Sequence, residues 1–549
     1  MAKSVAKISL NDPYSSEPYT YYPVVIVGAG ESGIALGCQL KEQLGFDQFR
    51  IFDRQSQLGG TWHINRYPGI ACDIPAPFYS FSFAPNYQWT TFHPPGEEIL
   101  QYLTDVCEKY GIVDKIQLNT DVVEARWLEK EELWEVILQH MALSAGDLSA
   151  KNRQTKIREE GEASVFVSQE RIKAKILASC VGGLVEPKSI PEVVPGFESF
   201  KGKVFHSARW DYNVDLSNKD VVVVGTGCSA AQFTPRLPNA PFNARSVTQV
   251  MRSPPWVVPR QKPPFGEEWW SKWSPKLLSN IPGLGWAVRL KVFLGTEADW
   301  ELFGGEERHE KARKKLEAEL LKHMKRTVPE KYHEILTPDY SVGCKRRIFD
   351  AIWFPGLNNP KIGLTTRPLT CVQPDSVILG PGRTYPDPND SKSKAPTDEI
   401  RVSADVIILA NGFDTTQWLS PLKVIGKHGK EIHDVWRERG GAQAYQGATM
   451  DGFPNMFVIF GPNTATGHSS VVLGIENMVM YSLHFMKRIL SGEVSSYDVK
   501  EEVEREYTRD IQEKLNQTVF NSGGCTNWYQ DRVTGWNSTA YPCDPPTVN

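Results

Sequence analysis

The sequence has no paired-cysteine motif, no long apolar run and no basic block, and each absence excludes a class of protein. Its nine cysteines include no C-x-x-C pair, so we expect reduced thiols, a cytoplasmic location and no metal site. No stretch approaches about 18 uninterrupted apolar residues and the N-terminus lacks an apolar segment, so we predict neither a membrane span nor a signal peptide. The net charge is −4, from 61 basic and 65 acidic residues, and we expect no nucleic-acid partner.

The composition is otherwise that of an ordinary globular protein. At 549 residues, with 40% hydrophobic and 23% charged residues, the chain is long enough for two or more domains. One stretch, residues 141–161, is rich in Ser, Lys, Arg and Glu, which predicts a solvated hairpin loop. The sequence leaves the oligomeric state open between a monomer and a small homo-oligomer.

A glycine-rich turn near the N-terminus indicates a dinucleotide-binding site. An apolar run typical of a buried strand begins at Val24 and leads directly into the turn. Gly28 permits the tight turn, Gly30 lets the backbone approach a pyrophosphate, and Gly33 lets helix and strand pack closely. Asp53 follows Gly33 by 20 residues, which is the spacing expected for a carboxylate on a ribose hydroxyl.

A second glycine-rich turn has the same form but a different charge at the end of the following strand. It follows an apolar run of valines and contains Gly225 and Gly227, with Ala230 in the third position. The next strand ends in Arg252, 22 residues past Ala230, where an NAD site would carry an acid. Because a guanidinium suits a 2′-phosphate, we predict FAD at the first turn and NADPH at the second. A surface arginine at a strand end is the alternative interpretation of Arg252.

Two nucleotide sites in one chain indicate a redox enzyme, and three further motifs narrow its class. FKGKVFHSARWD, Phe200–Asp211, has the form F-x-G-x-x-x-H-x-x-x-W-D. The stretch 59–73 contains G-G-T-W, then Y-P-G, and ends in Asp73, whereas Gly343–Arg346 reads G-C-K-R. In these motifs the chain resembles the class B flavoprotein monooxygenases of the Baeyer–Villiger type. The resemblance runs over nearly the whole chain.

The resemblance implies an α/β fold with two Rossmann-like dinucleotide-binding domains, the NADPH domain being inserted in the FAD domain. We expect the first part of the FAD domain over residues 1–190, the NADPH domain over 191–404, and the second part of the FAD domain with the C-terminal segment over 405–549. A helical, tryptophan-rich insert is expected at about 263–338. Polar and glycine residues interrupt its apolar segment, 277–294, which favours a packed helical subdomain over peripheral membrane contact.

By resemblance the activity is an NADPH- and O2-dependent oxidation of ketones to esters or lactones through a flavin peroxide. Arg346 matches the family's G-x-K-R motif and is the candidate catalytic cation, and Asp73 would pair with it and set its position. Lys345 would bind the 2′-phosphate of NADPH beside Arg252. A solvated basic turn at Arg346 and a loop cap at Asp73 are the alternatives. The ketone stays open among aliphatic, alicyclic, steroid and polyketide-derived compounds.

The other candidate residues are cofactor-binding positions, many of them implied by the resemblance. The positions on the FAD side are Gly28, Gly30, Gly33, Asp53, Gly60, Thr61, Trp62, Asp73, Tyr79 and Val122. The positions on the NADPH side are Gly225, Thr226, Gly227, Ser229, Ala230, Gln232, Arg252, Ser253 and Lys345. His206 and Trp210 match linker residues that couple NADPH binding to domain movement, and a purely structural role is the alternative.

Two other functions remain as alternatives. A flavin-dependent N- or S-oxygenating monooxygenase would share both glycine turns, but such enzymes usually lack Asp211 and carry a different aromatic residue at the position of Trp210. An NADPH-binding flavoprotein regulator would keep both folds without any need for Thr61, Trp62 or Arg346.

Overall fold

Two β-sheets organise the computed structural model, which describes residues 8–11, 18–189, 194–381, 398–415 and 417–542. Within these ranges, no helix is both long enough and apolar enough to cross a membrane. In the same part of the chain, no group of three or more His, Cys, Asp or Glu side chains is placed to hold a metal ion.

The strands and helices of the described residues are numbered here in chain order. The strands are β1 Ile8–Asn11, β2 Pro18–Val27, β3 Phe49–Phe52, β4 Ile116–Gln117, β5 Thr120–Leu128, β6 Leu133–Met141, β7 Phe166–Ser179, β8 Lys203–His206, β9 Asp220–Val224, β10 Ser246–Val250, β11 Val257–Pro259, β12 Ile348–Asp350, β13 Ile362–Thr365, β14 Leu369–Gln373, β15 Ser376–Leu379, β16 Ile400–Ser403, β17 Val406–Leu409, β18 Lys423–Ile425 and β19 Met456–Val458. The helices are α1 Glu31–Leu44, α2 Thr61–Ile64, α3 Gly96–Lys109, α4 Ala150–Glu160, α5 Cys228–Phe233, α6 Glu267–Asn280, α7 Leu284–Glu297, α8 Glu307–Thr327, α9 Trp353–Gly356, α10 Ile432–Glu438, α11 Val471–Leu490, α12 Glu501–Asn516 and α13 Val519–Ser522.

The first sheet has nine strands and carries the first glycine turn at the end of β2. Its order is β18-β5-β6-β7-β2-β3-β4, with β1 beside β2 and β19 beside β7. Strand β2 is parallel to β3 and β7, whereas β5, β6 and β7 form an antiparallel meander. Val24 and Ile26 pack against one hydrophobic core with residues of α1 and α11, and Val25 packs into a second core on the other face. A central parallel strand buried on both faces explains why this run is apolar at every position.

The second sheet has five parallel strands and carries the second glycine turn at the end of β9. Its order is β13-β10-β9-β17-β8. The sheets confirm the expected α/β fold with two Rossmann-like units. Strand β17, however, pairs with β9 in the second sheet, whereas the sequence placed residues 405–410 in the returning part of the first unit. We therefore place the return after β17, because hydrogen bonding to β8 and β9 ties that strand to the second sheet.

Helices α6, α7 and α8 form an insert between β11 and β12, which pair with each other in parallel. The insert lies within the stretch that the composition predicted to be helical. Its inner residues contribute to the cores around the cavity, since Leu320 of α8 packs with Val519 and Phe520 of α13. Met324 of α8 packs in the core of the second sheet, so the insert contacts both that sheet and the C-terminal segment.

The charged stretch 141–161 is not the loop that its composition predicted, because it contains helix α4. The Ser149 hydroxyl accepts the Asn152 N–H at 3.2 Å and caps the helix N-terminus. Arg153 is buried on the inner side of this helix, where its guanidinium lies 3.3 Å from the Glu186 carboxylate and donates to the Leu148 carbonyl at 2.6 Å. A cap and one anchored arginine therefore order a segment whose other side chains are mostly solvated.

Candidate active site

A cavity of about 2790 Å³ is lined by residues of both glycine turns and of the G-C-K-R motif. Such a volume is far above the roughly 300–1,000 Å³ of a site for one small molecule. The candidate residues that line it are Gly28, Gly30, Asp53, Gly60, Thr61, Trp62, Asp73, Tyr79, Val122, Gly225, Thr226, Gly227, Ser229, Gln232, Arg252, Ser253, Lys345 and Arg346. Gly33 and Ala230, the third positions of the two turns, are buried beside the strands instead. The structure thus brings both predicted nucleotide sites to one space.

The first turn has the close backbone contacts that only glycine allows. The Gly28 N–H donates to the Phe52 carbonyl at 2.7 Å, and Gly28 has a φ of +107°. A Cβ on Gly33 would lie 1.9 Å from the Gly28 carbonyl oxygen. Gly30 is the N-cap of α1, and in the described structure no side chain accepts a hydrogen bond at this cap. The first N–H groups of the helix are therefore available to a ligand in the cavity.

Asp53 stands at the end of β3, as the spacing predicted. One carboxylate oxygen accepts the Ala29 N–H at 2.7 Å and the other accepts the Gln55 N–H at 2.8 Å. Burial raises the pKa of Asp53, and these two backbone donors act in the opposite direction. The two bonds fix the carboxylate at the cavity wall, where it retains acceptor capacity for a hydroxyl ligand.

Glu31 is a cavity residue that the sequence analysis did not single out. Its carboxylate accepts the Trp62 indole N–H at 3.2 Å and the Tyr79 hydroxyl at 3.3 Å. Trp62 and Tyr79 also contact each other edge to face, with ring centroids 5.7 Å apart. Burial raises the pKa of Glu31 to about 7, against the effect of both hydrogen bonds. An acidic residue inside a phosphate-binding turn was the signal that could have revealed it.

The second turn repeats the geometry of the first. The Gly225 N–H donates to the Val250 carbonyl at 2.9 Å, and a Cβ on Gly225 would lie 2.3 Å from the Ala410 carbonyl oxygen. Gly227, in contrast, has no neighbouring atom within 4 Å of such a Cβ. Open space above Gly227 leaves room for a ligand to approach the backbone.

Gln232 connects the second turn to the loop that follows the first. Its side-chain oxygen accepts the Tyr67 hydroxyl at 3.0 Å, and its amide donates to the Ala71 carbonyl at 3.0 Å. Gln232 was predicted to bind a cofactor, and the structure places it at the cavity wall with its amide engaged by these partners. Its observed contacts are therefore those of a bridge between the two halves of the site.

The predicted 2′-phosphate residues converge at the end of β10. The Lys345 ammonium donates to the Ser253 hydroxyl at 2.7 Å, and it lies 4.5 Å from the centre of the Tyr340 ring. Arg252 precedes Ser253 and also lines the cavity. Two cations from distant parts of the chain therefore face the space beside the second turn, which suits an anionic group.

Arg346 and Asp73 form an ion pair although 273 residues separate them. One guanidinium nitrogen lies 2.8 Å from Oδ1 and 2.7 Å from Oδ2 of Asp73. The side chains are 30% and 22% exposed, so each keeps a face toward the cavity. The Asp73 carboxylate raises the pKa of Arg346 above its already high value, which keeps the guanidinium charged at every working pH.

His206 ends β8 and lines the cavity, whereas Trp210 follows the next short turn and packs in the core of the second unit; neither contacts the ion pair. Nδ1 of His206 accepts the Ala208 N–H at 3.0 Å, and burial lowers the pKa of His206 to about 4. His206 is therefore neutral near pH 7. Trp210 packs edge to face on Phe205 and Phe233, with ring centroids 5.2 and 5.1 Å away. These contacts are compatible with either the coupling role or the structural role.

One disulfide overturns the expectation that all the thiols are reduced. Cys344 pairs with Cys525 across 181 residues of sequence, and the Asn527 amide donates to the Cys344 carbonyl at 3.0 Å. No short spacing motif could reveal this pair, because the folding of the C-terminal segment onto the G-C-K-R loop brings it together. The disulfide fastens that segment to the loop that carries Arg346, and the cytoplasmic location, which rested on reduced thiols, stays a prediction.

Comparisons with known proteins found similarity over nearly the whole chain. The NAD(P)-binding Rossmann-like domain family matches residues 26–97, and the L-lysine 6-monooxygenase/L-ornithine 5-monooxygenase family matches residues 146–282. FAD-binding monooxygenase ktnD of Aspergillus niger is 33% identical over 95% of this chain and 79% of its own length. A Baeyer–Villiger monooxygenase of Pseudomonas aeruginosa is 32% identical over 94% of this chain and 87% of its own length. The crystal structure of OTEMO in complex with FAD and NADP has a TM-score of 0.72 at 22% identity, covering 95% of this chain and 96% of that chain.

Proposed function

The chain belongs to the Baeyer–Villiger type of class B flavoprotein monooxygenases, and we propose on this premise that it converts a ketone to an ester or lactone with FAD, NADPH and O2. Bound FAD supplies the oxygen-transfer chemistry and NADPH the reducing hydride. The observation that carries the proposal is the Arg346–Asp73 ion pair on the wall of a cavity lined by both glycine turns.

The residues of both turns fit these two cofactors. At the first turn the uncapped start of α1 offers backbone N–H groups to a pyrophosphate, and Asp53 offers acceptors to a ribose. At the second turn, open space above Gly227 accommodates a pyrophosphate. Lys345 and Arg252 supply positive charge for the 2′-phosphate that distinguishes NADPH from NADH.

Arg346 is the proposed catalytic residue. When a ketone is attacked by a nucleophilic oxygen, negative charge develops on the carbonyl oxygen, and a fixed cation beside that oxygen lowers the barrier. Arg346 meets the requirement because its charge is permanent and the two bonds to Asp73 orient its guanidinium. Asp73 acts through Arg346 and is therefore proposed as a positioning residue.

Lys345→Ala is expected to raise the KM for NADPH by roughly 10- to 100-fold and to leave the KM for NADH unchanged. The change removes a charge-assisted hydrogen bond to a phosphate, which contributes about 1.5–3 kcal/mol. Steady-state kinetics with both nucleotides measures the effect. Ser253→Ala removes the contact with Lys345 but keeps the charge, so we expect it to raise the KM for NADPH less than Lys345→Ala does. Equal losses with NADPH and NADH would place Lys345 away from the 2′-phosphate.

Glu31→Gln is expected to remove a pH dependence of FAD binding. Burial raises the pKa of Glu31 in the folded protein from 4.5 to about 7. Its contribution to the stability of the folded apoprotein is therefore fully present below pH 4.5 and is lost as the pH rises through 7. Above pH 7 the ionised carboxylate at the start of α1 repels a pyrophosphate. Wild-type apoprotein should bind FAD up to about 10-fold more weakly for each pH unit above 7.

Flavin fluorescence titrations of both apoproteins between pH 6 and pH 9 measure this affinity. The glutamine side chain of the variant keeps one acceptor oxygen for the Trp62 N–H, and its amide NH2 can donate to the Tyr79 hydroxyl oxygen. It carries no charge, so its curve should be flat. Parallel slopes for the wild type and the variant would assign the pH dependence to another group.

Oxygenation of an amine is the second candidate function. The match of residues 146–282 to the L-lysine 6-monooxygenase/L-ornithine 5-monooxygenase family favours it. Arg346 argues against it, because a fixed cation repels a protonated amine in the same cavity.

Product analysis under ¹⁸O₂ tests the two functions with the FAD-loaded enzyme. We expect NADPH-dependent turnover of ketones with one labelled oxygen in each ester or lactone, and no labelled product from amines. Labelled hydroxylamine from an amine, without ester from any ketone, would establish the second candidate. Consumption of NADPH without a labelled product from either class would contradict both.

A further inference from the structure

The helical insert exposes apolar side chains in a way that the rest of the described surface does not. Of the fourteen large hydrophobic residues that are exposed in the described structure, six lie in the 30-residue stretch 265–294. These six residues are Phe265, Trp273, Ile281, Trp286, Leu290 and Leu294. Scattered exposed apolar residues are ordinary, but a concentration of this kind marks an interaction surface.

Helix α7 is apolar on its outer face as well as on its inner face. Trp286, Leu290 and Leu294 follow one another at four-residue spacing and form one stripe, with 65%, 36% and 58% of their surfaces exposed. Between them the exposed residues are Ala287 and Lys291. A helix at the surface of a soluble protein normally turns a polar face to water, so the stripe is suited to a non-aqueous contact.

Two of the residues that interrupt the apolar segment lie on the inner face of α7, whereas Lys291 is exposed beside the stripe. Arg289 points inward, where it donates to the Ser80 carbonyl at 2.7 Å and lies 3.9 Å from the Glu476 carboxylate. Gly285 is also inside, because a Cβ there would lie 2.3 Å from the Tyr87 ring. The inner face of α7 is thus packed as predicted, whereas its outer face is not.

Between residues 269 and 296 the charges all have one sign, whereas Glu267 and Glu268 at the start of α6 are exposed acidic residues. The charged residues from 269 to 296 are Lys272, Lys276, Arg289 and Lys291. With Arg289 turned inward, three exposed lysines remain in a chain whose net charge is −4. The ammonium groups of Lys272 and Lys276 lie 5.7 and 5.5 Å from the Trp273 ring. Aromatic side chains flanked by lysines are typical of helices that lie in the interface of an anionic membrane.

We propose that the exposed apolar stripe of α7, Trp286, Leu290 and Leu294, together with exposed Trp273 and the three lysines of α6 and α7, docks the protein peripherally onto an anionic phospholipid membrane. Tryptophan rings enter the headgroup region and the lysines reach the lipid phosphates. A helix of 14 residues is about 21 Å long, too short to span a hydrocarbon core of about 30 Å, so α7 lies along the surface.

A second copy of the chain fits the surface less well. A twofold contact through this face would bring the same three lysines opposite themselves with no acidic partner between 269 and 296. The position of α7 also suits a lipid contact, because Phe293 and Glu297 on its inner side line the cavity. Docking would therefore bring one wall of the cavity close to the membrane, in which apolar small molecules concentrate.

Co-sedimentation of the FAD-loaded protein with lipid vesicles tests the proposal without any assay of turnover. We expect the wild type to sediment with phosphatidylcholine–phosphatidylserine vesicles, and to bind at least 10-fold more weakly to pure phosphatidylcholine vesicles or at high salt. The combined variant Trp286→Ser, Leu290→Ser, Leu294→Ser should lose at least 10-fold in affinity. The charge-reversal variant Lys272→Glu, Lys276→Glu, Lys291→Glu should lose a similar factor for the mixed vesicles.

The matched control removes three exposed apolar side chains elsewhere, by Val167→Ser, Val503→Ser and Val533→Ser, and should bind as the wild type does. Unchanged FAD content and thermal midpoint show that each variant is folded. The proposal is overturned if the wild type does not sediment with mixed vesicles, or if the serine variant binds as tightly as the control. It is also overturned if light scattering shows a dimer that the serine variant dissociates, since a second copy then covers the face.

Discussion

Arg346→Ala is expected to lower the rate of ester formation by roughly 100- to 1,000-fold while the protein still binds FAD and still accepts electrons from NADPH. Removing a single fixed donor to a developing negative charge costs about this much in other enzymes. Arg346 lines the cavity beside Asp73, whereas the 2′-phosphate contacts are assigned to Lys345 and Arg252. The loss should therefore fall on the oxygen-transfer step alone.

Two measurements separate the steps. Anaerobic bleaching of the flavin by NADPH reports reduction, and product quantification by mass spectrometry reports ester formation. Arg346→Lys keeps the charge but loses the rigid guanidinium whose one nitrogen contacts both oxygens of Asp73, and should lie between wild type and alanine. Arg347→Lys is the neighbouring control, because that guanidinium bonds Asp299 at 2.6 Å and is outside the cavity lining.

A ketone turnover near the wild-type value in Arg346→Ala would remove the catalytic assignment. Loss of flavin reduction together with ester formation would move Arg346 to the NADPH site. A loss of FAD would show instead that the ion pair with Asp73 holds the fold of the loop around the flavin.

The sequence predicted the two dinucleotide-binding units, because their residue patterns lie within short stretches of the chain. Each glycine turn lies between a buried strand and a helix, so three glycine positions and a strand-end residue specify a whole βαβ unit. The Arg346–Asp73 pair could be predicted only from the family resemblance. The partners are 273 residues apart in the sequence, and residue spacing predicts contacts only within short motifs.

The features that the sequence missed depend on tertiary contacts. Helix α4 is ordered by the burial of Arg153 against Glu186, which composition cannot show. The disulfide needs the C-terminal segment to fold back onto Cys344. The sequence did not reveal the exposed apolar stripe of α7, because Arg289 interrupts the apolar segment in the sequence. In the structure Arg289 turns inward and donates to the Ser80 carbonyl, so it does not interrupt the stripe.

Gly33→Ala is expected to abolish the folded FAD unit, whereas Gly30→Ala is expected to fold and to lose FAD. A methyl group on Gly33 would lie 1.9 Å from the Gly28 carbonyl oxygen, and this atom belongs to the backbone of the turn itself. Overpacking costs about 1–3 kcal/mol even where side chains can move aside, and here the obstacle cannot move without opening the turn. We expect aggregated protein without flavin.

Gly30→Ala meets a different environment. Its Cβ would lie 3.6 Å from the Gly60 Cα, an ordinary contact, and Gly30 has a φ of −82°, which alanine adopts freely. The apoprotein should therefore melt near the wild-type temperature by circular dichroism. The methyl group would stand where the pyrophosphate approaches the backbone, so fluorescence titration should show FAD binding at least 10-fold weaker.

The second turn supplies the matched control for this argument. Gly227 has a φ of −76° and no atom within 4 Å of an added Cβ, so Gly227→Ala should keep both the fold and the flavin and lose affinity for NADPH alone. If Gly30→Ala bound FAD normally while Gly227→Ala lost it, the two cofactors would have to exchange places. If Gly33→Ala folded with its flavin, the third glycine would not be what allows α1 to pack against β2. The three variants thus separate the glycine that builds the turn from the glycines that admit a ligand.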